Sequence, residues 1–283
     1  MLRFDGVSFG YMSGSAINDV SFYVAPGEFV ALLGENGAGK STLCRLCNGL
    51  LKPSSGRVKV GGQDTRQVKT SVLSRSVGFL FQNPDRQICR NTVSDEIMFG
   101  LENVVASPDE RRRRRDEVLG LFALDGDIDP FGMSRGERQQ VALASVLATK
   151  PKLLILDEPT TGLDYRECLS TMEIVSRLNA DGTTVLMVSH DMEVTADFAK
   201  RAIVLSGGRL IGDGPVREIM KNRRLLDEAS LLPAQIPALA MFLSELGELG
   251  KPDKIGELFS DAFTVDDMVE LTERANRAPE TRQ

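Results

Sequence analysis

The sequence predicts an α/β fold in which a mostly parallel sheet is covered by helices and an antiparallel β subdomain stands at the N-terminus. Short runs that are apolar throughout suit parallel strands buried on both faces. Three such runs lie at 153–156, 185–188 and 202–205. Helical patterns lie at about 108–124, 135–149 and 165–180. Strands that alternate with helical patterns are typical of parallel α/β sheets.

The N-terminal subdomain is predicted from two segments, 2–9 and 17–24, whose apolar residues alternate roughly by twos. This alternation is typical of half-buried antiparallel strands. Pro26 and Gly27 form a turn signal between the second segment and the apolar run 29–33. The sequence therefore predicts antiparallel strands that lead into a buried strand.

Residues 34–42 have the spacing of a phosphate-binding loop and lie between a predicted strand and a predicted helix, as that motif requires. Glycines let the backbone aim several N–H groups at one anion, and the helix that follows directs its positive end to the same phosphates. Lys40 would reach the β- and γ-phosphates, and the Ser41 hydroxyl would bind Mg²⁺. The predicted nucleotide-binding residues of the loop are Gly34, Asn36, Gly37, Ala38, Gly39, Lys40, Ser41 and Thr42.

Two carboxylates, Asp157 and Glu158, end the apolar run 153–156. Successive side chains of a strand point to opposite sides, so adjacent acids can have different roles. Asp157 would lie near Mg²⁺, facing Ser41, and Glu158 would position the attacking water as a general base. Together with the phosphate-binding loop, the pair predicts hydrolysis of a nucleoside triphosphate.

The C-terminal part is predicted to be a separate small region. Residues 206–214 have the pattern of a terminal hairpin, and a short helix follows at about 215–221. We divide the chain into an ATPase domain, 1–222, and a small helical region, 223–283, which would pack on the core or on another subunit. The arginine run 111–115 is flanked by acids and is interpreted as a solvated helix face, in preference to a lipid or nucleic-acid patch.

The composition excludes several classes of function. A net charge of −6 argues against a nucleic-acid partner. His190 is the single histidine, which excludes a histidine-based metal cluster. The four cysteines are predicted to be buried packing residues; they are Cys44, Cys47, Cys89 and Cys168. No apolar run approaches the roughly 18 residues of a membrane helix, and the start has no secretory signal, so any membrane role is expected to be that of a peripheral subunit.

In order and spacing, these motifs resemble those of the ATP-binding cassette (ABC) ATPases, over residues 1 to about 220. The resemblance implies a P-loop NTPase cassette with a helical signature subdomain, and ATP and Mg²⁺ as cofactors. It implies that Tyr11 stacks on adenine, that Gln82 ligates Mg²⁺ with Ser41 and Asp157, and that His190 contacts the γ-phosphate.

The segment 133–137 occupies the position of the family's signature, and 162–164 matches its D-loop. The resemblance implies a head-to-tail dimer in which the signature of one cassette meets the nucleotide of the other. The residues that would act in trans are Ser134, Arg135, Gly136, Glu137 and Asp164. Arg135 departs from the usual glycine. An arginine there would weaken the composite site, point away from it, or help to hold phosphate, and these alternatives stay open.

Residues 82–87 and 92–100 resemble the energy-coupling factor (ECF) importer ATPases, and the region 223–283 is similar to that family's small C-terminal dimerisation region. This implies an ATP-hydrolysing subunit at the cytoplasmic face of the cell membrane that drives import of vitamins or transition-metal ions. Its partners would be a second, identical or related ABC ATPase, a transmembrane coupling subunit and a membrane substrate-binding subunit. Asp85, Asp95 and Glu96 would either face basic residues of the coupling subunit or form a solvated surface. The alternatives are the ATPase of another ABC importer class, and a non-hydrolysing regulatory cassette in an asymmetric heterodimer.

Overall fold

The predicted parallel sheet and antiparallel subdomain are both present in the computed structural model, which describes residues 1–12, 14–248, 259 and 261–277. The strands are β1 (Leu2–Tyr11), β2 (Gly14–Val24), β3 (Phe29–Leu33), β4 (Ser55–Val60), β5 (Gln63–Asp64), β6 (Val77–Leu80), β7 (Leu153–Asp157), β8 (Thr184–Val188), β9 (Arg201–Ser206) and β10 (Arg209–Pro215). The α/β class is therefore confirmed.

Helices connect the strands. They are α1 (Lys40–Cys47), α2 (Thr70–Leu73), α3 (Val93–Val104), α4 (Pro108–Leu121), α5 (Arg135–Ala148), α6 (Tyr165–Ala180), α7 (Met192–Phe198), α8 (Val216–Lys221), α9 (Arg223–Glu228), α10 (Gln235–Glu248) and α11 (Val265–Arg277). Within the described ranges, none of these helices is long and apolar enough to cross a bilayer.

The strands form two sheets. In the larger one, of order β10-β9-β3-β8-β7-β6, five strands are parallel and β10 closes one edge as the antiparallel arm of a hairpin. The smaller sheet, of order β2-β1-β4-β5, is antiparallel. The predicted terminal hairpin is thus confirmed. The carboxyl ends of β3, β7 and β8 lie side by side, which places the segments that follow them at one edge of the sheet.

The parallel sheet is buried on both faces, as its continuous apolar runs predict. In β3, Phe29, Ala31 and Leu33 belong to one hydrophobic cluster. Val30 and Leu32 belong to another, which contains α1 residues and the inner face of the antiparallel sheet. The strand therefore sends successive side chains into two separate cores.

One helix boundary and one strand differ from the prediction for local reasons. Helix α4 ends at Leu121 and not near 124, because Ala123 adopts a positive φ of 51° that cannot continue a helix. Strand β6 was not predicted. A Cβ at its Gly78 would lie 2.6 Å from Cγ1 of Val146 on α5, so the close packing of that helix requires glycine here. A glycine within a strand interrupts the apolar run by which a buried strand is recognised in a sequence.

The arginine run on α4 is a solvated face, as predicted. Arg113 and Arg114 pair with Glu110 at 2.8 and 2.6 Å, and Arg115 pairs with Asp116 at 2.8 Å. Exposed pairs of this kind contribute little to stability, and they leave little free charge for an anionic partner.

The cysteine prediction is correct for three residues and wrong for one. Cys44, Cys47 and Cys168 are buried, whereas Cys89 is exposed. Cys89 lies in the loop between β6 and α3, within the segment 82–100 that was expected to present acidic residues at the surface.

Part of the C-terminal region packs on the core through α8. Phe263 is only 8% exposed and belongs to a core cluster, and the Arg217 guanidinium lies 5.0 Å from the centre of its ring. Arg217 also pairs with Asp267 at 3.0 Å, and Lys221 pairs with Asp261 at 2.9 Å. The division into 1–222 and 223–283 stays a prediction, and 249–258, 260 and 278–283 lie outside the described residues.

We expect Phe263→Ala to lower the free energy of unfolding by about 3 kcal/mol, because it removes a buried ring and leaves a cavity beside α8. Urea denaturation measures this change. The matched control is Phe242→Ala, at a ring that is 55% exposed, for which we expect a loss below about 1 kcal/mol. Equal losses in the two variants would contradict the packing of residues 261–267 on the core.

Candidate nucleotide-binding site

A cavity of about 390 Å³ lies at the carboxyl ends of the parallel strands, where α/β sheets bind ligands. The phosphate-binding loop between β3 and α1 forms one wall. Its predicted residues that line the cavity are Asn36, Gly37, Gly39, Lys40, Ser41 and Thr42. Gly34 and Ala38 do not line it. They pack on the side of the loop that faces the protein interior: a Cβ at Gly34 would lie 2.2 Å from the carbonyl oxygen of Leu205, and Ala38 is buried.

The Lys40 ammonium lies across the loop. Its Nζ donates hydrogen bonds to the carbonyl oxygens of Gly34, at 2.7 Å, and Glu35, at 2.9 Å. Burial lowers the pKa of Lys40, and the charges of Glu158 and Asp157 oppose that shift. A partly desolvated cation that is held by two carbonyls at the end of β3 is suited to bind the terminal phosphates of a nucleotide.

Asp157 ends β7 beside the first residues of α1. It is 5% exposed, and its Oδ1 accepts a hydrogen bond from Ser41 Oγ at 3.3 Å. Burial raises the pKa of Asp157, and the Ser41 hydrogen bond opposes the shift. The contacts of this carboxylate do not fully offset the cost of burying its charge.

The three predicted magnesium ligands suit that ion. Ser41, Gln82 and Asp157 all line a second cavity that adjoins the first, and hydroxyl, amide and carboxylate oxygens are the hard ligands that Mg²⁺ prefers. No group of three or more His, Cys, Asp or Glu that could hold a metal exists among the described residues.

We expect Asp157→Asn to stabilise the nucleotide-free protein at pH 7 by about 2 °C. The folded chain holds the Asp157 proton more tightly than the unfolded chain, so this group's stability contribution is full below the unfolded-state pKa. It is lost as the pH rises through the higher folded-state pKa, and at pH 7 the ionised group is destabilising. The neutral isostere should also lose the extra stabilisation that Mg²⁺ gives with ATP, which thermal melts with and without EDTA measure. Asp181→Asn, at the C-terminus of α6, is the control; a lowered melting temperature specific to Asp157→Asn would contradict the argument.

The carboxylate of Glu158 makes three polar contacts within the site. Its Oε1 lies 2.9 Å from His190 Nε2, and its Oε2 accepts hydrogen bonds from Gln82 Nε2 at 2.8 Å and Thr161 Oγ1 at 3.2 Å. Its backbone has a positive φ of 56°, which is unusual for a glutamate and is typical of functional positions. The structure thus brings together all three predicted catalytic residues, Glu158, His190 and Gln82.

Tyr11 lies at the mouth of the cavity, at the end of β1. Its hydroxyl is 3.3 Å from Thr42 Oγ1, and its ring packs edge-on against Phe9 with centroids 5.0 Å apart. The side chain is 43% exposed. The ring is therefore held by Phe9 and Thr42 and remains partly exposed beside the cavity that it lines.

The residues predicted to act in trans do not line the nucleotide cavity. Ser134 and Glu137 form a capping box at the start of α5, and Asp164 forms a second one with Glu167 at the start of α6. Gly136 packs against the D-loop, since a Cβ there would lie 2.9 Å from the carbonyl oxygen of Gly162. The signature and the D-loop are therefore in contact within one chain.

Arg135 turns towards its own chain. A Cβ at Gly162 would lie 3.3 Å from both Cγ and Cδ of Arg135, so the arginine stem runs along the D-loop. Its side chain lines the second cavity together with Ser41 and Asp157. Of the alternatives that the sequence left open, this position fits a guanidinium that points away from the composite site.

The structure adds residues that the sequence did not indicate. Gly14, Ser15 and Ala16, at the start of β2, line the nucleotide cavity, and they carry no motif because the pairing of β2 with β1 brings them there. Thr161 follows Glu158 by three residues, and this spacing lets its hydroxyl reach back to the Glu158 carboxylate.

Of the three acids expected either to face a coupling subunit or to form a solvated surface, Glu96 needs correction, whereas Asp85 and Asp95 are exposed. Glu96 is 3% exposed, and its Oε2 accepts hydrogen bonds from the backbone N–H groups of Cys89 and Arg90, at 2.8 and 3.0 Å. It braces the loop before α3 and is not a surface charge. Asp85 is exposed, but its Oδ1 lies 2.8 Å from Arg138 Nε.

Comparisons with known proteins agree with this geometry. A family model described as "ABC transporter" matches residues 17–161. The first curated relatives that the chain matches are putative ABC transporter ATP-binding proteins, 40–42% identical, and the chain spans less than half of their length. An ECF transporter ATP-binding protein, EcfA2, of Acetivibrio thermocellus is 36% identical over 93% of this chain and 94% of its own length.

Two solved structures are also similar. CbiO1 from Clostridium perfringens, described as part of the ABC transporter complex CbiONQ, has a TM-score of 0.71 and 31% identity over 88% of this chain and 97% of that one. A dimeric bacterial ABC transporter cassette, MJ0796, has a TM-score of 0.70 and 31% identity over 77% and 99%.

Proposed function

Because the chain belongs to the ABC transporter family of ATP-binding proteins, we propose that it hydrolyses ATP as the energy-coupling subunit of an ECF-type importer. The observation that carries the hydrolytic part is the carboxylate of Glu158, which accepts hydrogen bonds from Gln82 and Thr161 and lies 2.9 Å from His190 Nε2, at the wall of a cavity that also contains Lys40. A site that only bound nucleotide would not need an oriented base there.

Different residues of the chain would bind the adenine, the phosphates and Mg²⁺. Tyr11 would stack on adenine, while the loop N–H groups and Lys40 would hold the phosphates. Mg²⁺, bound by Ser41, Gln82 and Asp157, would neutralise charge on the β- and γ-phosphates.

Glu158 would act on the attacking water. It would accept the water proton as the oxygen attacks the γ-phosphorus. The bond from that phosphorus to the bridging oxygen would break, and the oxygen would leave with ADP. His190 and Gln82 contact the carboxylate of Glu158 and line the cavity beside it, where the γ-phosphate would bind.

We further propose a head-to-tail dimer of cassettes. The nucleotide cavity of one chain contains none of Ser134, Gly136 and Asp164, so a second chain would complete it. The dimeric state of the similar cassette MJ0796 supports this. Ser134 and the Gly136 N–H would then contact the partner's γ-phosphate at the N-terminus of α5, and hydrolysis would release the bridge between the chains.

The ECF class is supported by the segments 82–87 and 92–100 and by the likeness to EcfA2 and CbiO1 over most of the chain. Its location would be the cytoplasmic face of the cell membrane. The partners would be a second ABC ATPase, a transmembrane coupling subunit and a membrane substrate-binding subunit, and the cargo a vitamin or a transition-metal ion. The non-hydrolysing alternative rests on Arg135 alone, and the contacts of Glu158 argue against it.

Purification of the native membrane complex through a tag on this chain, followed by mass spectrometry, tests the ECF assignment. We expect one or two cassette proteins together with two kinds of membrane protein, a coupling subunit and a small substrate-binding subunit. A complex with permeases and a soluble solute-binding protein would assign another importer class, and a complex without membrane proteins would contradict an importer altogether.

A further inference from the structure

A second cavity, of about 380 Å³, adjoins the nucleotide cavity. Ser41 and Gln82 line both, so the two cavities adjoin at the side chains that would surround Mg²⁺ and the γ-phosphate. Asp157 lines only the second cavity, so the proposed magnesium ligands lie between the two, and the remaining residues of the second cavity have no role in the steps proposed above.

Three arginines line the second cavity: Arg45 from α1, Arg86 from the loop after β6, and Arg135 from the start of α5. Among the described residues, none of their guanidinium nitrogens has a carboxylate oxygen within the 4.0 Å of an ion pair. By contrast, most arginines of α4 pair with neighbouring acids. We call this space the arginine cavity.

The wall has two acids, Asp85 and Asp157, against three arginines, and the charge of Arg45 acts on Asp157. Asp85 is already close to Arg138, with Nε and Oδ1 2.8 Å apart, and Asp157 belongs to the proposed magnesium site. Phe81 is the only apolar residue in the wall; the rest offer guanidinium, hydroxyl, amide or carboxylate groups. Such a lining fits a small, strongly charged anion better than a base, a lipid chain or an apolar peptide.

We propose that the arginine cavity binds inorganic phosphate after it is cleaved from ATP and before it leaves the protein. Guanidinium groups match the oxygens of a phosphate with paired hydrogen bonds. The cavity adjoins the site of cleavage at Ser41 and Gln82, so the phosphate would pass from one to the other without crossing a subunit interface. The inference rests on the proposed hydrolysis, which supplies the phosphate.

Arg135 would be one of the three phosphate-binding arginines of this cavity. A glycine at this position would remove one of the three cations, whereas the arginine stem runs along Gly162 and the residue lines the cavity. The residue that departs from the family signature would thus serve its own chain's nucleotide site.

Equilibrium dialysis of radiolabelled inorganic phosphate against the full chain with MgADP tests the site. We expect Arg86→Gln and Arg45→Gln each to weaken phosphate binding about tenfold, as for the loss of one charge-assisted contact. Arg75→Gln is the matched control, because Arg75 is exposed and does not line the cavity. Arg86 is also exposed, so its variant should fold, which the melting temperature checks.

Inhibition of ATP turnover by added phosphate is measured on the same proteins. We expect about tenfold more phosphate to be needed for half-inhibition of Arg86→Gln than of Arg75→Gln. Equal phosphate affinities in the two variants, with turnover present, would overturn the inference and leave the proposed function standing. Arginine-dependent phosphate binding in a protein that never hydrolyses ATP would overturn the proposed function and the release role together.

Discussion

Glu158→Gln is expected to lower the rate of ATP hydrolysis by about 10²–10⁴-fold, the range that a general base contributes. ATP should still bind, because the glutamine keeps the size of the side chain and the phosphate-binding loop is untouched. The variant should therefore accumulate as an ATP-bound dimer. Steady-state phosphate release measures the first effect, and size-exclusion chromatography with MgATP measures the second.

The control for this variant is Glu173→Gln, which neutralises an exposed carboxylate on α6 that lies 3.9 Å from Arg177. It should hydrolyse ATP at the normal rate. Unchanged hydrolysis in Glu158→Gln would remove Glu158 as the base. A lowered rate with monomeric protein would retain the base but count against the ATP-bridged dimer.

Lys40→Ala is expected to weaken ATP binding about 100-fold, which corresponds to the loss of two charge-assisted contacts. The ammonium is already partly desolvated in the loop, so its contacts with phosphate carry little further cost of dehydration. Titration with a fluorescent ATP analogue measures the affinity.

Lys152→Ala, at an exposed lysine before β7, is the control and should bind ATP as the unmodified chain does. Since Lys40 also bonds the carbonyls of Gly34 and Glu35, its variant should be shown to melt normally without nucleotide. Normal ATP affinity in a folded Lys40→Ala protein would contradict the assignment of the loop.

The centre of the candidate site was predictable because its residues follow strands whose patterns are strong. The segments after β3, β7 and β8 each follow five buried residues, and parallel strands bring their carboxyl ends to one edge. Hence Glu158 and His190, 32 positions apart, were expected near one phosphate, and the structure places them 2.9 Å apart.

Other features depend on contacts that no local pattern carries. The direction of Arg135 is set by its contact with Gly162, 27 positions away. The burial of Glu96 depends on two backbone N–H groups of a preceding loop, and a buried acid has the same sequence signal as an exposed one. Strand β6 was hidden because the packing of α5 requires Gly78 in its middle.

The hydrogen bond between Gln82 and Glu158 joins the loop after β6 to the proposed base. The position of that loop and the orientation of the Glu158 side chain are therefore coupled. If a membrane partner binds the loop more tightly when Gln82 is withdrawn, then a nucleotide state that needs Gln82 in place must weaken that partner by the same factor. Reciprocity of this kind makes one 2.8 Å contact a point at which nucleotide binding and partner binding are coupled: each would change the affinity of the other by the same factor.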